Sequence, residues 1–226
     1  MDLSRLEQIL DEDNINNIQN LNILLVGLGG VGGSALEALV RFGIKNITVV
    51  DNDVFETSNL NRQLLSNINN IGKSKVTEAI NHAKAINPNI NIKGFNIFLT
   101  KDTLSVINDK YDFIIDACDT ITTKVLLIEY ALNNGYKIIT SCGTGNKFHP
   151  ELLTITTIDK TINDPLAKDL RKILKEHKIT TKIPCVWSSE LPVKTKDSNI
   201  IGSNFLVPNT AGILLASYVI NNSIKK

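Results

Sequence analysis

The feature that most limits what this chain can become is a glycine-rich loop set between two apolar runs. Residues 22–27 (NILLVG) form a short apolar stretch that ends at glycines and reads as a buried strand. A helix is expected next, from about Val31 to Phe42, with Leu36, Leu39 and Val40 on one face and Gly43 at its C-cap. Residues 46–51 (NITVVD) then make a β-branched strand that ends on a carboxylate. Strand, glycine loop, helix and strand in that order open a doubly wound α/β sheet. Within the loop, Gly27, Gly29 and Gly32 fit G-x-G-x-x-G, with Gly30 as a further glycine between them, which lets the backbone turn sharply and bring a helix N-terminus against phosphate. Asp51 stands about 20 residues on, where a carboxylate accepts hydrogen bonds from ribose hydroxyls.

The alternation continues along the chain. Helical spacing covers 73–86, strands are expected at 90–98 and 111–116, a helix at 121–134 and a strand at 137–143. A strand at 152–158, a basic helix near 165–177 and a helix at about 209–221, apolar nearly all round and so expected to be buried, complete the set. Residues 180–204 lack periodicity and read as a loop. The expected fold is therefore Rossmann-like: doubly wound α/β, a mostly parallel sheet, with a C-terminal extension. Residues 1–226 read as a single domain, with a nucleotide-binding core over about 22–145 and a substrate-facing part over about 146–226.

Composition removes several classes. A hydrophobic content of 42% and a charged content of 21% are those of an ordinary globular protein. The polar N-terminus is unlike a signal peptide, and no apolar run approaches the roughly 20 residues of a membrane helix. A cytoplasmic protein with no membrane partner is expected. Cys118, Cys142 and Cys185 stand far apart with no C-x-x-C pair, which argues against a disulfide framework or a structural zinc site. A net charge of +1 gives no overall argument for nucleic acid, yet residues 160–196 hold nine Lys/Arg against four Asp/Glu. Charge clustering alone fits a solvated helix face as well as a surface for a polyanion.

Beyond Asp51 the chain departs from a nicotinamide-binding pattern. Residues 51–63 (DNDVFETSNLNRQ) form a polar loop in which Arg62 is the one fixed cation, suited to a triphosphate. Lys73 and Lys75 stand at a helix start, where a cation opposes the helix dipole and an anionic partner would offset the cost. Asp116 ends the strand at 111–116 and Asp119 follows it, at the sheet edge where such folds bind ligands. A carboxylate there can hold Mg2+ against phosphate oxygens, although Asp116 reads equally well as a strand-end cap.

Together these segments resemble the ubiquitin-activating-like adenylating enzymes: GLGGVG (27–32), DND (51–53), NLNRQ (59–63), GKSKV (72–76) and CDT (118–120). The resemblance implies an ATP site in which the loop glycines approach phosphate and Asp51, within a D-x-D element shared with Asp53, binds ribose. It places Asn59, Arg62 and Lys75 on the phosphates, Gln63 as an orienting group, and Asp119 on Mg2+. Thr120 stands where that family often has Asn, so a contact from this position stays open. Arg5, in LSRLEQIL, resembles an N-terminal Arg that reaches the other subunit's ATP, which implies a homodimer.

The second half (143–179, 185–194 and 202–217) is similar to one branch, the tRNA threonylcarbamoyladenosine dehydratases. That likeness implies tRNA carrying threonylcarbamoyladenosine as substrate, dehydrated through an acyl-adenylate. It also implies Lys168, Arg171, Lys172, Lys175 and Lys178 as contacts to tRNA phosphates, and leaves open a sulfur-relay protein as a further partner. The alternative is adenylation of the C-terminal glycine of a sulfur-carrier protein, which shares every ATP residue. An NAD(P)-dependent oxidoreductase would give Arg62 and Lys75 no task. Cys185 is a candidate thioester-type nucleophile in the 180–204 loop, although a small, semi-buried thiol is the commoner case.

Overall fold

The computed structural model describes residues 1–197 and 200–225. The parallel strands are β1 (Asn22–Val26), β2 (Asn46–Asp51), β3 (Asn91–Asn96), β4 (Phe113–Asp116) and β5 (Lys137–Ser141). β1, β4 and β5 are near-continuous apolar runs, as expected of strands covered on both faces. Helices α1 (Glu12–Gln19), α2 (Gly30–Arg41), α3 (Lys75–Ile86) and α4 (Ile121–Asn134) lie between or before them. The C-terminal part adds β6 (Leu153–Thr157), α5 (Pro165–Glu176), β7 (Pro184–Ser188) and α6 (Leu206–Asn221).

All seven strands form one sheet in the order β3-β2-β1-β4-β5-β7-β6. Its two faces follow from the period of two along each strand. Ile23, Leu25, Ile47 and Val49 pack with Leu36 and Leu39 of α2, Val76 of α3 and Leu215 of α6. Leu24, Val26, Val50 and Ile114 pack on the other face, with Leu127 of α4 and Leu170 of α5. Burying each such aliphatic side chain stabilises the fold by roughly 1.5–3 kcal/mol. The chain winds outward in both directions from β1, so a crevice opens at the carboxyl ends of β1 and β4, the switch point of a doubly wound sheet.

The structure corrects the reading of residues 180–204 as a loop. β7 lies inside that stretch, parallel to β5 and antiparallel to the edge strand β6. It is only five residues long, starts on Pro184 and is covered on both faces, so neither length nor alternation signals it. Cys185 is accordingly a fully buried strand residue. α6 begins at Leu206, about a turn ahead of the expected start, and it is not buried all round, since Leu206 and Ile213 are 55% and 54% exposed. α1, absent from the sequence reading, is capped by Asp11, which accepts from Asn14 N at 2.8 Å. Among the described residues no helix is long and apolar enough to cross a membrane.

Candidate functional site

A cavity of about 530 Å3 occupies the crevice at the carboxyl edge of the sheet. Gly27, Gly29, Gly30, Asp51, Asp53, Asn59, Arg62, Gln63, Lys75 and Asp119 all line it, although they come from separate stretches of chain. Gly32 lies one turn behind. A Cβ there would sit 1.8 Å from the Gly27 carbonyl oxygen, so only glycine lets the loop fold onto the start of α2.

Each side chain is held by its own local structure. The Asp51 carboxylate at the end of β2 accepts from Leu28 N at 2.6 Å and from Asp53 N at 2.8 Å, which locks it to the glycine loop. Lys75 opens α3 with its side chain only 6% exposed, and its ammonium lies 2.8 Å from Asp53 Oδ2. Lys73, by contrast, is exposed. Asn59 ends a short 3-10 turn and accepts from Glu56 N at 3.1 Å. Arg62 curls back so that Nη1 donates to Ser58 O at 2.5 Å and to Asn61 Oδ1 at 3.1 Å. Gln63 is buried, and its Oε1 has no hydrogen-bond partner among the described residues. The residue lines the cavity, but that oxygen is itself buried beneath the wall.

The two acids of the β4 edge separate cleanly. Asp119 is exposed at the cavity wall. Asp116 is fully buried and engaged by Lys124 Nζ at 3.0 Å and Thr140 Oγ1 at 2.5 Å, so it acts within the protein and is not offered to a metal. Cys118 also turns inward, with Sγ 2.8 Å from Asp116 Oδ1, and burial followed by the Asp116 charge pushes its thiol well up. Cys185 is pushed up as well, by its contact with Cys142 and by burial. Cys185 is moreover fully buried and is not part of the cavity wall, which argues against the thioester reading.

Several residues escaped the sequence reading. Ser141 to Gly145 line the cavity beyond β5, where the glycines after a strand were the available signal. Leu166 at the start of α5, together with Ile201 and Ser203 ahead of α6, closes the opposite wall. Lys147 is buried and spans Gly143 O at 2.7 Å and Asp164 Oδ2 at 3.5 Å, so it fixes the 143–147 turn against the N-cap of α5. Nothing in local sequence marks Lys124 or Lys147 as internal.

The remaining candidates lie elsewhere. Arg5 is exposed and is not part of the cavity wall. Lys168, Lys172 and Lys175 are exposed along α5, and Lys178 is exposed just past its end with φ 58°. Arg171 departs from the expected phosphate-facing set. Its guanidinium donates to the carbonyls of Ile158 at 3.2 Å and Thr161 at 2.9 Å, and also meets the Thr161 hydroxyl. Trp187 packs in the fold with Nε1 donating to Ile162 O at 2.9 Å.

Comparison with known proteins agrees with this geometry. The profile of the ThiF family matches residues 3–169. The tRNA threonylcarbamoyladenosine dehydratase of Bacillus subtilis is 31% identical over 208 residues, covering 84% of this chain and 82% of that protein. The corresponding enzyme of Haemophilus influenzae is 31% identical over 211 residues, 84% of this chain and 81% of its own length. The crystal structure of E. coli tRNA N6-threonylcarbamoyladenosine dehydratase in complex with ATP superimposes with a TM-score of 0.91 at 30% identity, covering 98% of this chain and 93% of that one. E. coli MccB with ATP, at 18% identity and a TM-score of 0.62, shares the fold.

Proposed function

Because this chain belongs to the ThiF family, we propose that it uses ATP to dehydrate N6-threonylcarbamoyladenosine in tRNA through an acyl-adenylate. The observation that carries this is the convergence of the glycine loop, Arg62, Lys75 and Asp119 on one cavity, in a chain similar over most of its length to tRNA threonylcarbamoyladenosine dehydratases. Arg62 and Lys75 are cations that a nicotinamide site does not need and a triphosphate does. Residues 1–226 act as one adenylating unit, with the cavity wall from Gly143 onward facing the substrate.

In this reading the α2 N-terminus and the loop amides receive phosphate, Asp51 receives the ribose hydroxyls, and Asn59, Arg62 and Lys75 hold the phosphate chain. Gln63 orients the loop or the phosphates. A threonyl carboxylate oxygen attacks the α-phosphorus and pyrophosphate leaves. The ureido group of the same modification then attacks the acyl carbon, loses its proton, and expels AMP together with that oxygen. The modification thereby loses the elements of water. Because the second attack is intramolecular, little entropy opposes it, and the protein's task is positioning and stabilising phosphate charge.

Asp119 fits Mg2+, which takes one or two carboxylates plus phosphate oxygens. Bound there, the ion would supply charge neutralisation at the phosphates. The tRNA lies along α5, with Lys168, Lys172, Lys175 and Lys178 on its phosphates. Arg5 serves the ATP site of a second copy in a homodimer. A sulfur-relay protein remains a candidate partner of the same site.

The test is to incubate the purified protein with ATP, Mg2+ and tRNA bearing the modification, then digest and weigh the nucleosides. ATP-dependent loss of water from the modified adenosine supports the proposal. ATP bound with the nucleoside unchanged overturns it in favour of a protein carboxylate as acceptor.

A further inference from the structure

Asn209 stands in the first turn of α6 with only 5% of its surface exposed. Asn is poorly suited to a helix interior because its amide competes for backbone partners. Here every polar group of that amide is used. Nδ2 donates to Arg62 O at 2.8 Å and to Phe205 O at 2.5 Å, while Oδ1 meets the hydroxyl of Ser34. Ser34 lies on α2, one turn past Gly30, whose carbonyl is 3.1 Å from the same hydroxyl. The Arg62 carbonyl also crowds the glycine loop: a Cβ on Gly30 would sit 3.1 Å from it and 3.1 Å from Pro208 Cβ.

Three pieces of the cavity therefore meet at one side chain. These are the first turn of α2, the backbone of Arg62, and the start of α6, which follows the wall residues Ile201 and Ser203. We infer that Asn209 is a positioning residue: by holding the Arg62 carbonyl it fixes where that guanidinium meets the triphosphate, and it ties this placement to the substrate-side wall. A fully satisfied buried amide is rigid and specific in geometry, whereas a partly satisfied one is costly. The assigned role rests on the ATP reading above, since it acts through Arg62.

ATP affinity, measured by titration calorimetry together with melting temperature, tests it. Asn209→Leu keeps the volume and removes all three hydrogen bonds, so ATP binding should weaken roughly tenfold, the equivalent of about one buried hydrogen bond. Two further proteins separate positioning from mere stability. Ser34→Ala/Asn209→Leu removes the hydroxyl that the leucine would face, which in Asn209→Leu keeps only the Gly30 carbonyl as partner, so melting temperature should recover in part while ATP affinity stays weak. In an Arg62→Ala background, Asn209→Leu should add no further loss of ATP affinity, because interacting residues are non-additive. Unchanged affinity in Asn209→Leu, affinity that recovers with stability, or losses that simply add would each overturn the role. Failure of the wild-type protein to bind ATP would instead remove the functional reading beneath it.

Discussion

The Lys124 ammonium lies 3.0 Å from Asp116 Oδ2, with neither side chain exposed to solvent. Thr140 Oγ1 at 3.0 Å and Ser141 O at 2.8 Å complete its three hydrogen bonds, so one buried cation ties α4 to the carboxyl ends of β4 and β5 beneath the cavity. Burial alone would push the amine towards its neutral form, but the Asp116 charge outweighs it and the pKa is raised from 10.5. A raised pKa means the contribution is complete below pH 10.5 and is lost only as pH rises through the folded value. Lys124→Met leaves Asp116 buried without its counter-charge, and breaking such a pair costs about 3–5 kcal/mol. Urea unfolding at neutral pH should record that loss, with part of it recovered in Lys124→Met/Asp116→Leu. A single variant as stable as wild type would contradict the structural role of the pair.

Two glycines make opposite predictions from similar chemistry. Gly32→Ala drives a methyl group onto the Gly27 carbonyl, 1.8 Å away, and backbone cannot yield there without opening the phosphate loop. ATP binding should be abolished. Gly72 has φ +81° with nothing within 4 Å of a new Cβ, so Gly72→Ala meets only the left-handed backbone penalty of about 1–2 kcal/mol. Its ATP affinity should equal that of wild type, although its melting temperature falls. Calorimetric titration of both variants checks the contrast.

The difference between what is legible in the sequence and what is not has a physical pattern. The glycine loop, Asp51, Arg62, Lys75 and Asp119 can be read because the strand–helix units between them fix their spacing and return each to the same sheet edge. β1, β2, β4 and β5 are legible because each is an apolar or β-branched run bounded by turns. β7 is not, being five residues with a proline at its start. Lys124 and Asn209 are hidden for another reason: their partners are set by tertiary packing, and Asn209 meets Arg62 across 147 positions. Arg171 misleads because a helical wheel gives the direction of a long side chain and says nothing of whether it folds back onto a carbonyl.

Acid should expose the junction of α2 and α3. Glu37 Oε2 lies 2.5 Å from His82 Nε2, and Oε1 lies 2.5 Å from Arg41 Nε. Burial pushes the Glu37 carboxyl up, but the hydrogen bonds and charges of His82 and Arg41 outweigh it and hold it below 4.5. With the folded pKa depressed, the stabilisation is present above pH 4.5 and disappears as pH falls through the folded value. Glu37→Gln should therefore be less stable than wild type near neutrality, with the gap closing under acid. Urea midpoints measured from pH 7 downwards give the answer, and a gap independent of pH would rule out the carboxylate as its source.

The cations of α5 divide into two kinds, and tRNA binding should tell them apart. Lys168, Lys172 and Lys175 are exposed along the helix, and the Glu176 carboxylate, 4.0 Å from Lys172, is too solvated to hold that ammonium firmly. Removing one phosphate-binding cation should flatten the slope of log affinity against log salt by about 1. Lys168→Ala/Lys172→Ala/Lys175→Ala should thus bind tRNA more weakly and with a flatter salt dependence, while its melting temperature and ATP affinity stay at wild-type values. Arg171→Ala should behave in the reverse way. Its guanidinium supports the carbonyls of Ile158 and Thr161, and since Ile158 O keeps the Thr161 hydroxyl at 2.9 Å, stability should fall by about 1–3 kcal/mol for the Thr161 carbonyl left unpaired. The salt slope should barely move. Filter binding across a salt series, run beside thermal melts, reads both quantities. A triple variant with an unchanged slope would take α5 out of the tRNA interface, and a flattened slope in Arg171→Ala would return that residue to it.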